Sequence, residues 1–193
     1  MIERHPLQPF LPQNARVLFL GSFPPPLKRW SMDFFYPNFN NDFWRIAGLI
    51  FTGDRNHFIL PGEKRFNKEM IADFCTTNGI AIFDTASAVN RQKGNASDKF
   101  LEVVEPTAIE SLLEQIPACR DIVTTGQKAT DVLIERYGCS APLIGSHTDL
   151  TVAGRPVRFW RMPSTSRAYP LPLENKAAAY RKLFESLGCD VNR

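Results

Sequence analysis

Three observations predict an α/β fold of three layers, a central, mainly parallel sheet of four strands covered by helices on both faces. Short apolar runs bounded by polar residues or glycine recur along the chain without alternation, the pattern of strands that have no wet face. Between them lie segments with apolar residues at helical spacing. The two kinds follow one another in turn, as parallel strands joined by crossover helices must. At 193 residues, 44% hydrophobic and 22% charged, the chain can bury one sizeable core, so a single domain over 1–193 is expected.

The first strand is read in RVLFLG (16–21), followed by the turn GSFPPP (21–26), where prolines stop both strand and helix. A helix is predicted to begin near Asn40 or Asn41, favoured N-cap residues, and to bury Phe43, Ala47, Ile50 and Phe51. Phe66, Met70 and Phe74 mark a second helical face. IAIFD (80–84) is the second strand, and NRQKGNASDKFLEVVEP (90–106) is the longest polar connection. A helix with Ile109, Leu112, Leu113 and Ile116 on one face leads to the third strand, DIVTTG (121–126). Ala129, Val132, Leu133 and Tyr137 give the next helix, and PVRFWRM (156–162) the fourth strand, less clean for its arginines. The last helix, with Leu173, Ala177, Tyr180, Phe184 and Leu187 inward, follows Pro170 and Pro172 and closes at Gly188.

Several classes of function fall away on composition. No run of about 18 apolar residues is present, so no membrane partner is expected, and MIERHPLQPF lacks the apolar stretch of a signal peptide, which points to the cytoplasm. Cys75, Cys119, Cys139 and Cys189 are widely spaced, and His5, His57 and His147 are scattered, so the cysteines read as reduced, mostly buried residues and no metal site is expected. Neither G-x-G-x-x-G nor G-x-x-x-x-G-K-[ST] occurs, which disfavours a dinucleotide enzyme or a nucleoside triphosphatase, and the absence of G-x-S-x-G disfavours a serine hydrolase. A net charge of +3 permits a polyanionic partner without demanding one.

In a sheet of this kind ligands bind at the carboxyl ends of the strands, so the segments after Gly21, Thr125 and Met162, with the 90–106 connection, are expected to line a site. FFYPNFNNDFWR (34–45), which follows the first strand and its turn, crowds aromatic rings and asparagines together with little charge. MPSTSRA (162–168) offers small hydroxyls and one arginine, groups suited to phosphate oxygens.

Taken in order and spacing, VLFLGSFPPP, YPNFNNDFW, GIAIFD with GNASD downstream, VTTGQKATDVL and MPSTSRA resemble the uracil-DNA glycosylase superfamily, nearest its mismatch-specific and hypoxanthine (deoxyinosine) branches, over roughly residues 16–187. The resemblance implies a sheet of order 2-1-3-4 and an enzyme that flips a damaged base out of DNA and cleaves its bond to deoxyribose. Flat rings would hold the flat base while amides read its edge. It further implies Asn41 as the catalytic residue, a base pocket formed by Gly21, Ser22, Phe23, Phe35, Tyr36 and Asp84, and DNA contacts from Pro163, Ser164, Thr165, Ser166 and Arg167. Asp98 and Lys128 are secondary candidates. The choice among Phe34, Phe35 and Tyr36 as the stacking ring stays open.

Two departures qualify the resemblance. Phe23 stands where other branches carry a catalytic asparagine or acid, and Met162 where several carry histidine. The expectation is therefore a monofunctional, cofactor-free and monomeric DNA glycosylase acting on hypoxanthine or uracil in base excision repair. The alternative is a module of the same fold that binds altered DNA or nucleotides without catalysis.

Overall fold

The computed structural model describes residues 2–92 and 101–192. Its central sheet contains β2 (Val17–Gly21), β3 (Ile80–Asp84), β6 (Asp121–Thr124), β7 (Ser146–Val152) and β8 (Arg155–Arg161), in the order β3-β2-β6-β8-β7. The four strands read from the sequence are neighbours and run parallel, whereas β7 lies antiparallel at the edge beside β8. The expected four-stranded sheet is thus corrected to a mixed sheet of five. The added strand, SHTDLTV, is mostly polar because it is an edge, and a hairpin turn with Ala153 and Gly154 at positive φ joins it to β8.

Every residue of β2, β3 and β6 is buried, which explains their unbroken apolar runs. The arginines of β8 are accommodated by pairing. Arg158 lies in register with Asp121 and donates to both its carboxylate oxygens, at 2.7 and 3.0 Å, and the indole N–H of Trp160 shares the same carboxylate.

Five α-helices pack on the sheet: α1 (Phe43–Thr52), α2 (Lys68–Asn78), α3 (Ile109–Gln115), α4 (Gln127–Tyr137) and α5 (Leu173–Ser186). Phe19 of β2 meets Phe43 of α1 and Phe184 of α5, with ring centroids 5.5 and 5.8 Å away, so these two helices cover one face. Right-handed crossovers put α3 and α4 on the other, because β2 connects leftward to β3 while β3 and β6 connect rightward.

The sequence reading missed a second, three-stranded antiparallel sheet of order β1-β4-β5, formed by β1 (Ile2–Arg4), β4 (Ala86–Arg91) and β5 (Leu101–Pro106). The ends of the 90–106 segment, read as a polar connection, are strand. Their charged residues sit on exposed positions, as in Glu102, Glu105 and the Arg4–Glu105 ion pair. This sheet brings the N-terminal segment to the carboxyl end of β3, where His5 donates its backbone N–H to Ser87.

Candidate functional site

A cavity of about 550 Å³ opens where β2, β3 and β6 end, within the usual range for ligand pockets, roughly 300–1,000 Å³. Gly21, Ser22, Phe23, Phe35, Tyr36, Asn41, Asp84, Ser164, Thr165 and Ser166 all line it, together with Thr125 and Gly126 from the end of β6. Sequence positions from four separate loops therefore converge on one space. Pro163 and Arg167 stand outside this lining, and Asp98 lies outside the described residues.

The aromatic stretch divides into core and pocket. Phe34 and Phe35 are buried, and the carbonyl of Phe35 accepts the indole N–H of Trp44 at 3.0 Å. The chain then turns through Tyr36 at φ 50°, a left-handed conformation that an aromatic side chain rarely adopts. That turn lays the Tyr36 ring flat on Phe43, with centroids 4.0 Å apart and planes 9° from parallel. Its hydroxyl lies 2.8 Å from Thr125 Oγ1. Burial, and next the nearby Asp84 charge, push the phenol well above its ordinary range, so it stays a neutral hydroxyl. Of the three rings left open, Phe34 does not reach the cavity, whereas Phe35 and Tyr36 do.

Asn41 is not the N-cap residue of α1, the position expected for it, yet its side chain serves the first helical N–H. The N-cap residue is Asp42, which makes no side-chain cap, while Asn41 Oδ1 accepts the N–H of Phe43 at 2.9 Å. Asp42 cannot cap because both its oxygens are taken. Oδ2 accepts from Lys176 Nζ at 3.0 Å, and Oδ1 from Arg167 at 3.3 and 3.4 Å. With its carbonyl turned to the helix, the Asn41 amide has Nδ2 left over, without a protein partner among the described residues.

The MPSTSRA loop is held at many points. Tyr180 donates its hydroxyl to the Pro163 carbonyl, Asp42 its N–H to the Thr165 carbonyl, and the fully buried Lys176 a second hydrogen bond to the Ser166 carbonyl at 2.8 Å. Asn41 and Ser166 also form an isolated antiparallel bridge. As a result the Pro163 and Thr165 side chains are buried, Thr165 within the cavity lining. Ser164 is half-buried, and Ser166 and Arg167 are exposed. Arg167 spends part of its guanidinium on Asp42 and Asn40.

Asp84 is 7% exposed and lies in register with Gly21 across the β2–β3 pair. Its carboxylate leans over the glycine, with Oδ1 only 2.3 Å from where a Cβ on Gly21 would stand. The second oxygen, Oδ2, lies 2.8 Å from Nε2 of His5, a partner 79 positions away that sequence reading left among scattered histidines. No hydrophobic pattern announced it, since β1 is Ile-Glu-Arg with its apolar Ile2 exposed.

Phe23 explains itself in this setting. Its ring packs edge-on against His5 at 5.3 Å and under the Arg91 guanidinium at 5.8 Å, and Arg91 in turn donates to the Pro24 carbonyl and to Glu3. Met162 is buried, continues the sheet ladder through its N–H to Thr124, and does not face the cavity. Among the described residues no three His, Cys, Asp or Glu side chains gather as a metal would require.

No protein-family model and no curated protein matches the chain. Among solved structures it is similar to the solution NMR structure of "a putative Uracil DNA glycosylase from Methanosarcina acetivorans", with a TM-score of 0.63 and 24% identity over 97% of this chain and 99% of that one. The chain has a uracil-DNA glycosylase-like fold. In that fold the cavity described above occupies the carboxyl edge of the parallel strands, and Tyr36, Asn41 and Asp84 are among the polar groups that reach it, with Ser22, Arg29 and Asn38 from the same first loop.

Proposed function

We propose that the protein is a monofunctional DNA glycosylase that flips a deaminated base, hypoxanthine or uracil, out of DNA and hydrolyses its N-glycosidic bond. The observation that carries this reading is the joint exposure of an aromatic ring, a carboxamide and a carboxylate in one cavity at the carboxyl edge of a glycosylase-like sheet. A base stacked against the Tyr36 side of the cavity would present its edge to the polar groups, and stacking of this kind is worth about 1–3 kcal/mol per base.

The chemistry open to these residues is electrostatic. Asn41 offers N–H groups that can hold a water by its oxygen or grip a base carbonyl, but an amide takes no proton. Bond breaking therefore leads and water follows, with fixed dipoles stabilising the separated charge. The hydroxyls of Ser164 and Ser166, in the cavity lining, suit phosphate oxygens on either side of the flipped nucleotide. Among the described residues no amine lines the cavity as a Schiff-base nucleophile, and a free abasic site is the product this reading expects.

Met162 and Phe23, apolar where a charge would speed the reaction, favour a second reading in which the pocket binds altered DNA and does not cut it. One assay separates the two. Duplexes carrying hypoxanthine, uracil, xanthine or a thymine mismatch are incubated with the protein, treated with alkali and resolved on a gel. Breaks at hypoxanthine or uracil, abolished in a folded Asn41→Ala variant, support excision, and binding without breaks supports the module. Full activity in Asn41→Ala would remove Asn41 from the mechanism.

A further inference from the structure

We propose that His5 is a positioning residue of this pocket, fixing Asp84 as an aimed hydrogen-bond acceptor that selects lactam bases, those with a ring N–H beside a carbonyl; the proposal rests on the base-binding reading above. The side chain of His5 is 4% exposed and that of Asp84 10%, and the two meet at 2.8 Å. The imidazole is held on every side. Phe83 lies at 4.5 Å, Phe23 at 5.3 Å and Phe35 at 6.1 Å between ring centroids, and Nδ1 sits 3.0 Å from the carbonyl oxygen and 3.1 Å from the amide nitrogen of Leu7. Nε2 is therefore aimed at Asp84 and carries the N–H that Oδ2 accepts.

With Oδ2 bound to His5 and the backbone carbonyl of Asp84 accepting from Thr107, the carboxylate cannot rotate without breaking a buried hydrogen bond. Oδ1 is left without a protein partner among the described residues. It lies over Gly21, in the lining of the cavity, where the missing Cβ gives it room. An ionised carboxylate accepts hydrogen bonds and donates none. Deamination changes a base at the matching place: the ring nitrogen of adenine or cytosine beside the amino group bears a lone pair, and in hypoxanthine or uracil it bears a proton. An acceptor held at that edge attracts the deaminated base and repels its parent.

The test compares wild type with His5→Gln, whose amide N–H can stand where Nε2–H stood, and His5→Leu, which keeps bulk and removes the donor. Binding of free hypoxanthine and of 1-methylhypoxanthine, in which the ring N–H is blocked, is measured by NMR titration, alongside single-turnover excision from duplexes carrying each base. Wild type and His5→Gln are expected to prefer hypoxanthine by about ten- to a hundredfold, the usual weight of a hydrogen bond to a charged group, and folded His5→Leu to prefer it by less than about threefold. Should His5→Leu not fold, His5→Asn, whose amide stops short of Asp84, takes its place. A folded variant lacking the donor that keeps the wild-type ratio, a His5→Gln variant that fails to restore it, or a wild type that binds both bases alike overturns the proposal. Selective binding by a wild type that cuts no duplex would instead overturn excision and leave the role of His5 standing.

Discussion

Replacing Gly21 by alanine tests the geometry on which the pocket depends. A Cβ at this position would lie 2.3 Å from Asp84 Oδ1, well inside the 3.0 Å that real Cβ contacts respect, with Cγ at an ordinary 3.5 Å. The backbone at Gly21 is ordinary strand, so the penalty is steric and owes nothing to conformational freedom. Asp84 can make room only by swinging away from His5, at about 1.5–3 kcal/mol for a hydrogen bond to a charged group. If it stays, the overpacked contact costs about 1–3 kcal/mol. A loss of about 1–3 kcal/mol is expected, whichever of the two occurs, read as a lower midpoint in urea at unchanged slope. In an Asp84→Ala background the nearest remaining side-chain atom is the Tyr36 hydroxyl at 3.6 Å, an ordinary contact, so the same substitution should then cost less than about 0.5 kcal/mol. Equal costs in the two backgrounds would show that the carboxylate does not lie over the glycine, and the account of the pocket would fail with it.

Three further outcomes follow from the same contacts. Tyr36→Phe keeps the stack on Phe43 and loses the bond to Thr125, so stability should drop by about 0.5–1.5 kcal/mol in thermal unfolding while base binding persists. Asp42→Ala strands the fully buried Lys176 and should cost about 3–5 kcal/mol, most of it recovered when Lys176→Met is added, as denaturation of the single and double variants will show. Burial alone would raise the Glu110 carboxyl, yet the Arg136 guanidinium at 2.6 Å and the Tyr137 hydroxyl outweigh it and hold the group below its usual 4.5. The link between α3 and α4 is therefore fully present above that value and lost as pH falls through the lowered one. Acid unfolding of Glu110→Gln should lack this component.

How far the sequence speaks depends on whether burial is local or assembled. Val17–Gly21 and Ile80–Asp84 announce themselves because both their faces are covered, and Phe43, Ala47 and Ile50 because one helix face is. Ser146–Val152 and Leu101–Pro106 do not, since a partly exposed strand carries the polar residues of a loop. Within the site, Gly21 and Asp84 were legible as the last residues of strands, and Tyr36 and Asn41 through the resemblance of YPNFNNDFW. The left-handed turn at Tyr36 was not, because no propensity favours a tyrosine there and only its surroundings, Phe43 beneath and Thr125 beyond, hold it. Nor was the failure of Asp42 to cap, which follows from Lys176 drawing its carboxylate away from the helix end across 134 positions of sequence and leaves Asn41 to accept the Phe43 N–H. His5 was least legible of all, being delivered by a three-residue strand whose partner, β4, lies more than 80 residues along the chain.

On the proposed reading, Asp84 serves two ends that oppose each other. An acceptor aimed at a ring N–H strengthens the hold on a lactam base, but as the glycosidic bond lengthens, negative charge gathers on that base and a nearby carboxylate resists it. Neither Phe23 nor the buried Met162 offers a charge to offset this. Besides the Arg29 guanidinium in the lining, the chain supplies fixed dipoles: the His5 N–H drawing density toward the far oxygen, and the Asn41 N–H groups. Dipoles of this kind stabilise charge without transferring a proton, so they assist bases that depart readily as anions and do little for those that must first be protonated. Uracil and hypoxanthine can leave as stabilised lactam anions, whereas cytosine and adenine gain far less from that route. Recognition and departure then select the same bases by separate physical means, and a pocket whose described residues include no general acid can still discriminate.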